Sequence, residues 1–144
     1  MYRSAKEAYQ KSLFFTASPA KLVLMCYEGA IGNLKTARDA YAEKDYTSKA
    51  KALQKALDII YELNASLNLQ RGGVIAANLR ALYNYMIRSL LEGDLKKDLT
   101  AFDRAVAMLE DLASSWREIA TKPVVDNSVS RQQAAKNLGL SFMA

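Results

Sequence analysis

From Ser18 onwards the apolar residues return every three or four positions, and strand-type alternation competes nowhere with that period. Such a pattern commits the chain to amphipathic helices. Ser18-Pro19 opens the first long one: a capping hydroxyl precedes a proline at the first helical position, where its missing N–H costs nothing. Val23, Tyr27, Ala30, Leu34, Ala37 and Tyr41 carry the stripe to about Ala42. Glu43-Lys44-Asp45 makes a short polar connection, and Asp45 or Thr47 can cap the next helix, striped by Leu53, Ala56, Leu57, Ile60, Leu63 and Leu67. Gly72-Gly73 breaks the pattern after Asn68 and predicts a further helix from near Val74, carrying Ile75, Leu79, Leu82, Tyr83, Met86 and Leu90. Gly93-Asp94 predicts another break. A last helix then presents Leu95, Leu99, Phe102, Val106, Leu109, Ala113 and Trp116, and ends at Pro123.

Ahead of these, Ser4-x-x-Glu7 is a capping-box pattern and predicts a short helix from about Ala5 to Leu13, with Ala8, Tyr9 and Leu13 on one side. Four long helices on short connections pack most simply as an antiparallel up-down bundle, with the short N-terminal helix laid alongside. The expected fold is therefore all-α. A chain of 144 residues suits one domain. Residues 1–121 form the expected bundle, divided into a leading segment (1–17) and the four long helices (18–121). Residues 122–144 form a tail, in which Lys122, Arg131 and Lys136 face only Asp126 among charged residues. It closes on Leu138-Gly139-Leu140-Ser141-Phe142-Met143-Ala144, which reads either as a frayed terminus or as an apolar peptide that docks on its own bundle or a neighbour's.

Composition closes off most chemistry. The chain has no histidine, so Ser-His-Asp and Cys-His catalysis and histidine-based zinc sites are excluded. The single Cys26 lies mid-helix among apolar residues and reads as a small buried side chain, not a nucleophile. Gly72-Gly73 precedes a helix but belongs to no phosphate-binding motif, and Glu62, Glu92, Asp94 and Asp98 lack the Glu-x-x-His partners of a di-iron bundle. No metal or cofactor is expected. Twenty Lys and Arg against fifteen Asp and Glu give +5, but Lys49, Lys51, Lys55 and Lys96-Lys97 alternate with acids and read as solvated faces, not a nucleic-acid surface. The polar opening Met1-Tyr2-Arg3-Ser4 lacks a signal peptide's apolar core, and no stretch approaches the ~18 apolar residues of a membrane span. A cytoplasmic protein without membrane insertion is expected.

The helices hold more apolar surface than one stripe each requires. Leu24 and Ile31 project away from Val23 and Ala37, Ile59 and Tyr61 flank the next stripe, and Ala81, Tyr85 and Ile87 lie off the centre of the following one. This surplus serves either extra core contacts or a groove for a partner. Asn64 falls inside an apolar stripe, so its amide needs partners, from an internal network or from an incoming peptide backbone. Gly29 and Gly32, mid-helix, mark close approach of another element or simple drift.

Two long stretches resemble one known family. Thr16-Ala17-Ser18-Pro19-x-x-Leu22-Val23-Leu24-Met25-x-Tyr27-Glu28-Gly29-Ala30 is similar to the opening signature of the FliS flagellar secretion chaperones, with Cys26 and Glu28 where leucine and aspartate are commoner. Leu63-Asn64-Ala65-Ser66-Leu67-Asn68, followed by Gly72-Gly73-x-Ile75-Ala76-x-Asn78-Leu79-x-x-Leu82-Tyr83-x-Tyr85-Met86-Ile87-Arg88, resembles the second. Tyr9 stands where the family carries a leading tyrosine. The likeness runs from about Tyr2 to Ile119; the tail after Pro123 matches no family pattern.

The resemblance implies a cytosolic chaperone with no enzymatic activity, binding the C-terminal segment of flagellin, blocking its premature polymerisation and passing it to the export gate protein FlhA. On that reading the flagellin-binding groove consists of Leu22, Leu24, Met25 and Ile31 with Leu67, Ile75, Leu79, Tyr83, Tyr85 and Met86. Asn64 and Asn78 are its backbone-binding amides. Tyr9 and Leu13 would cover the groove or contact the gate. The tail could mimic a client, in its own groove or in that of a homodimer partner. Two other classes compete: a self-assembling structural or regulatory bundle, and a small nucleic-acid-binding bundle.

Overall fold

The computed structural model describes residues 19–121, with side chains to residue 119. Four helices fill this span: α1 (Pro19–Ala42), α2 (Tyr46–Ala65), α3 (Leu69–Lys96) and α4 (Thr100–Thr121), with no strand among the described residues. The all-α bundle is as expected. The short helix predicted over 5–13, with Tyr9 and Leu13, lies outside the described residues, as does the tail.

Each boundary has a local cause. α1 starts on Pro19 and ends where Lys44 enters the left-handed region (φ 63°), its N–H bonding Tyr41 O at 3.0 Å and the Asp45 N–H bonding Ala40 O at 2.8 Å. Asp45 then caps α2, its carboxylate accepting from Ser48 N at 3.1 Å, and this holds the Asp45 carboxyl below its usual range. Asn68 caps α3 by accepting from Arg71 N at 3.0 Å. One turn later Gly73 adopts φ 54° and ψ −128°, kinking the helix. The predicted break is present, but the helix begins five residues before Val74, because Asn68 starts a turn that Gly73 redirects.

The Gly93-Asp94 break is not present. α3 runs through both residues and stops at Lys97 (φ 59°), where the Asp98 N–H bonds Gly93 O at 2.8 Å. Gly93 serves packing instead: a Cβ there would collide with the Ala101 side chain and lie 3.1 Å from the Asp98 carbonyl. Leu95 therefore belongs to α3, is 83% exposed, and takes no part in the stripe of the last helix. Asp98 receives the Thr100 N–H at 3.0 Å and opens α4.

The short links make neighbouring helices antiparallel. α1 packs broadly on both α2 and α4, whereas α3 lies diagonally across from α1 and touches α2 and α4 more sparsely. Along the α1–α4 seam Glu28 meets Arg117, Lys35 meets Glu110 and Arg38 meets Asp103, so α4 descends as α1 rises. These exposed pairs fix register more than stability. The core lies between the four helices, with Tyr27, Leu34, Ile60, Leu63, Tyr83, Met86, Leu90, Phe102 and Leu109 sealed from solvent. Burial of each such side chain favours the fold by roughly 1.5–3 kcal/mol. Gly29 admits the Ile59 methyl, which a Cβ would meet at 3.3 Å; Gly32 faces open space.

Candidate functional site

At 100° per residue, Ala76, Leu79, Tyr83, Met86, Ile87 and Leu90 turn one face of α3 into the core. Val74, Asn78, Ala81 and Tyr85 stand on the opposite face. Val74 is 75% exposed, Tyr85 48% and Ile75, on the flank, 45%. Valine, isoleucine and tyrosine left in water on one helix, with Asn78 between them, form an apolar face with a hydrogen-bonding group at its middle.

Beside this face, α2 and α3 diverge to leave a cleft of about 470 Å³ lined by Tyr61, Asn64, Asn84, Ile87 and Arg88. Asn64 Nδ2 donates to Asn84 Oδ1 at 2.9 Å, whereas Asn64 Oδ1 is buried and has no hydrogen-bond partner among the described residues. An amide acceptor in that state carries an unmet desolvation cost of about 1–3 kcal/mol. Asn64 thus joins an internal pair and still holds one unused acceptor.

The proposed groove residues fall into three sets. Ile75, Asn78 and Tyr85 are exposed together on α3, and Asn64 stands in the adjoining cleft. Leu67, Leu79, Tyr83 and Met86 are buried and pack the core beneath, and Leu22 is buried on α1. Leu24 and Ile31 are half-buried against that core, and Met25 is half-buried on α1. Because α1 and α3 are diagonal, the α1 residues and the exposed α3 residues do not share one surface. Much of the surplus apolar surface on α1 and α2, Leu24, Ile31 and Ile59 included, is core packing. Val74, Asn84 and Arg88 join the α3 surface without having been singled out. Their outward position follows from helical spacing once the buried face of α3 is known.

The core groups are neutral. Burial, then the charge of Glu62, pushes the Cys26 thiol up to about 11, which leaves no reactive thiolate near neutral pH. Burial likewise lifts Tyr27 to about 12 despite hydrogen bonds that favour its ionised form, and lifts Tyr83 further. At the far end of the bundle Lys49 donates to Asp94 at 2.6 Å and lies 5.9 Å from the centre of the Tyr41 ring. One of the scattered lysines is thereby committed to joining α2 to α3. Among the described residues no cluster of Cys, Asp and Glu could hold a metal ion, and no helix is long and apolar enough to cross a membrane.

Comparison with known proteins identifies the family. The family model for flagellar protein FliS matches residues 1–123. A curated relative from Salmonella typhimurium, named flagellar secretion chaperone FliS, is 39% identical over 113 residues, which cover 78% of this chain and 84% of the relative. Proteins of the same name from Vibrio cholerae (34% over 121 residues, 81% and 89%) and Bacillus subtilis (33% over 111 residues, 77% and 82%) are also similar. The match takes in the motifs from Ser18-Pro19 to Arg88, the whole four-helix bundle and none of the residues after Pro123. The chain belongs to the FliS family of flagellar secretion chaperones.

Proposed function

We propose that the protein binds the C-terminal segment of flagellin in the cytoplasm, keeps it from polymerising before export and delivers it to the export gate protein FlhA. The observation that carries this reading is the exposed apolar face of α3 in a member of a chaperone family. A disordered client loses entropy on ordering, and a long contact of apolar side chains and backbone amides offsets that loss. Ile75, Asn78 and Tyr85 form the contact surface, with Asn64 supplying an acceptor from the cleft. Leu67, Leu79, Tyr83 and Met86 support it from below, and Leu22, Leu24, Met25 and Ile31 belong to a second strip on α1. No catalytic step is involved.

Residues 1–121 act as the chaperone unit in this reading. Tyr9 and Leu13 cover the groove or meet the gate, and residues 122–144 compete for the client surface or join a homodimer. Calorimetry with a flagellin C-terminal peptide tests the central claim. Tyr85→Ala and Asn78→Ala weaken binding by about tenfold each, the loss expected for one buried contact. Unchanged affinity in both variants places the client elsewhere. Truncation after Pro123 raises client affinity or dissolves a dimer seen by sedimentation; no change in either removes the tail from the account.

A further inference from the structure

Between Leu69 and Leu91, α3 carries Arg71, Arg80 and Arg88 and not one aspartate or glutamate. All three arginines are exposed, and none has an ion-pair partner among the described residues. Other cations of the bundle behave differently: Lys35 and Arg38 pair with carboxylates of α4, and Lys49 pairs with Asp94. Glu92 follows Arg88 by one turn yet does not close an ion pair with it. Of the three, Arg88 stands about 60° around the helix from Tyr85, so unneutralised positive charge borders the face that displays the apolar residues.

Arg88 concentrates that charge at the α2–α3 cleft. Asn64 Nδ2 occupies Asn84 Oδ1, which turns the Asn84 amide so that its own N–H groups remain as donors. One helical turn on, the guanidinium of Arg88 adds a planar fork of donors, and no acid lines the cleft. Ile87 and the Tyr61 ring form its apolar walls. A guanidinium fork beside an amide donor fits a carboxylate, held in a recess that partly excludes water.

We infer that this cleft is a carboxylate subsite: it takes an aspartate or glutamate side chain from an amphipathic client segment whose apolar residues lie along Val74, Ile75 and Tyr85. The inference rests on the reading of α3 as the client surface and adds the charge that surface selects. The chain's own tail, with three basic residues against one acidic, is poorly matched to it. A nucleic acid would match the charge but not the exposed Val74, Ile75 and Tyr85.

The test is calorimetry of the full chain and its Arg88→Gln variant with a flagellin C-terminal peptide, at low and at high sodium chloride. A set of peptides with each acidic residue replaced singly by its amide completes the experiment. Arg88 is exposed, so the variant keeps its circular dichroism spectrum. The expected result is a loss of about tenfold or more in affinity, with a flatter salt dependence. One peptide substitution reproduces that loss and adds nothing further in the variant. Equal affinity for Arg88→Gln, or no peptide carboxylate coupled to it, overturns the subsite while leaving the client surface intact. Failure of the unaltered peptide to bind the unaltered chain overturns the proposed function and the subsite together. Binding of a duplex oligonucleotide that Arg88→Gln abolishes, with peptide affinity unchanged, assigns the arginine to nucleic acid and overturns the subsite alone.

Discussion

The hydroxyl of Tyr27 on α1 lies 2.6 Å from the hydroxyl of Tyr83 on α3, a buried hydrogen bond that joins the two diagonal helices through the centre of the core. Removing one hydroxyl leaves the other buried with a partner missing, whereas removing both deletes the polar pair. Tyr27→Phe and Tyr83→Phe each lower stability by about 1–2 kcal/mol. The double variant loses less than the sum of the two. Urea denaturation of the four-member cycle measures the coupling, and strict additivity would show that the bond contributes nothing.

Tyr27 and its neighbour Cys26 make the fold sensitive to base. In the folded chain Cys26 is raised from 9.0 to about 11 and Tyr27 from 10.0 to about 12, so ionisation favours the unfolded state. Their contribution is complete below about pH 9 and is lost as pH rises through 9 to 12. With no histidine to titrate, stability stays level between about pH 6 and 8. Denaturant midpoints across pH test both statements, and a steep slope near neutrality would contradict them.

Three helical glycines separate by what surrounds them. Gly32→Ala stabilises by about 0.5–1 kcal/mol, since it gains helix propensity in open space. At Gly29 that gain is spent against the Ile59 methyl, and the change is near zero. Gly93→Ala forces α3 and α4 apart at Ala101 and the Asp98 carbonyl, costing about 1–3 kcal/mol. Thermal melts rank the three, and any order other than Gly32, Gly29, Gly93 contradicts the packing described.

Lys44 and Lys97 both occupy left-handed backbone at helix ends, a position that suits glycine. Lys44→Gly and Lys97→Gly each stabilise by about 0.5–1 kcal/mol, because a side chain is removed from a conformation it disfavours. Lower melting temperatures in both variants would mean that the lysine side chains contribute contacts of their own.

These two lysines also explain where sequence reasoning stopped. Helix identity, the start at Pro19 and the cap at Asp45 were legible, because apolar period and side-chain capping are local properties. The end of α3 was not. Gly93 looks like punctuation, but its missing Cβ is used by Ala101, eight residues on, and the turn is made by a lysine with no turn-forming character. The candidate site divides in the same way. Tyr85 and Ile75 declare themselves as surplus apolar residues, and the Asn64 amide as a polar group in an apolar stripe. Whether Tyr83 and Met86 reach the surface or seal the core depends on which residues of α1 and α4 meet them, a tertiary matter that spacing within α3 does not encode.

The sparse contact of α3 with its neighbours has a kinetic consequence. α1 is held on two sides, whereas α3 is tied by the tyrosine bond, the Asn64–Asn84 bond, the Lys49–Asp94 pair and the tight crossing at Gly93. All of those ties lie in the C-terminal half of α3, and its first turn is set apart by the Gly73 kink. Amide hydrogens from Leu69 to about Leu79 should exchange with solvent well before those of α1. The helix that offers the binding surface is then the one that opens at least cost, so an arriving segment can displace its first turns without unfolding the rest.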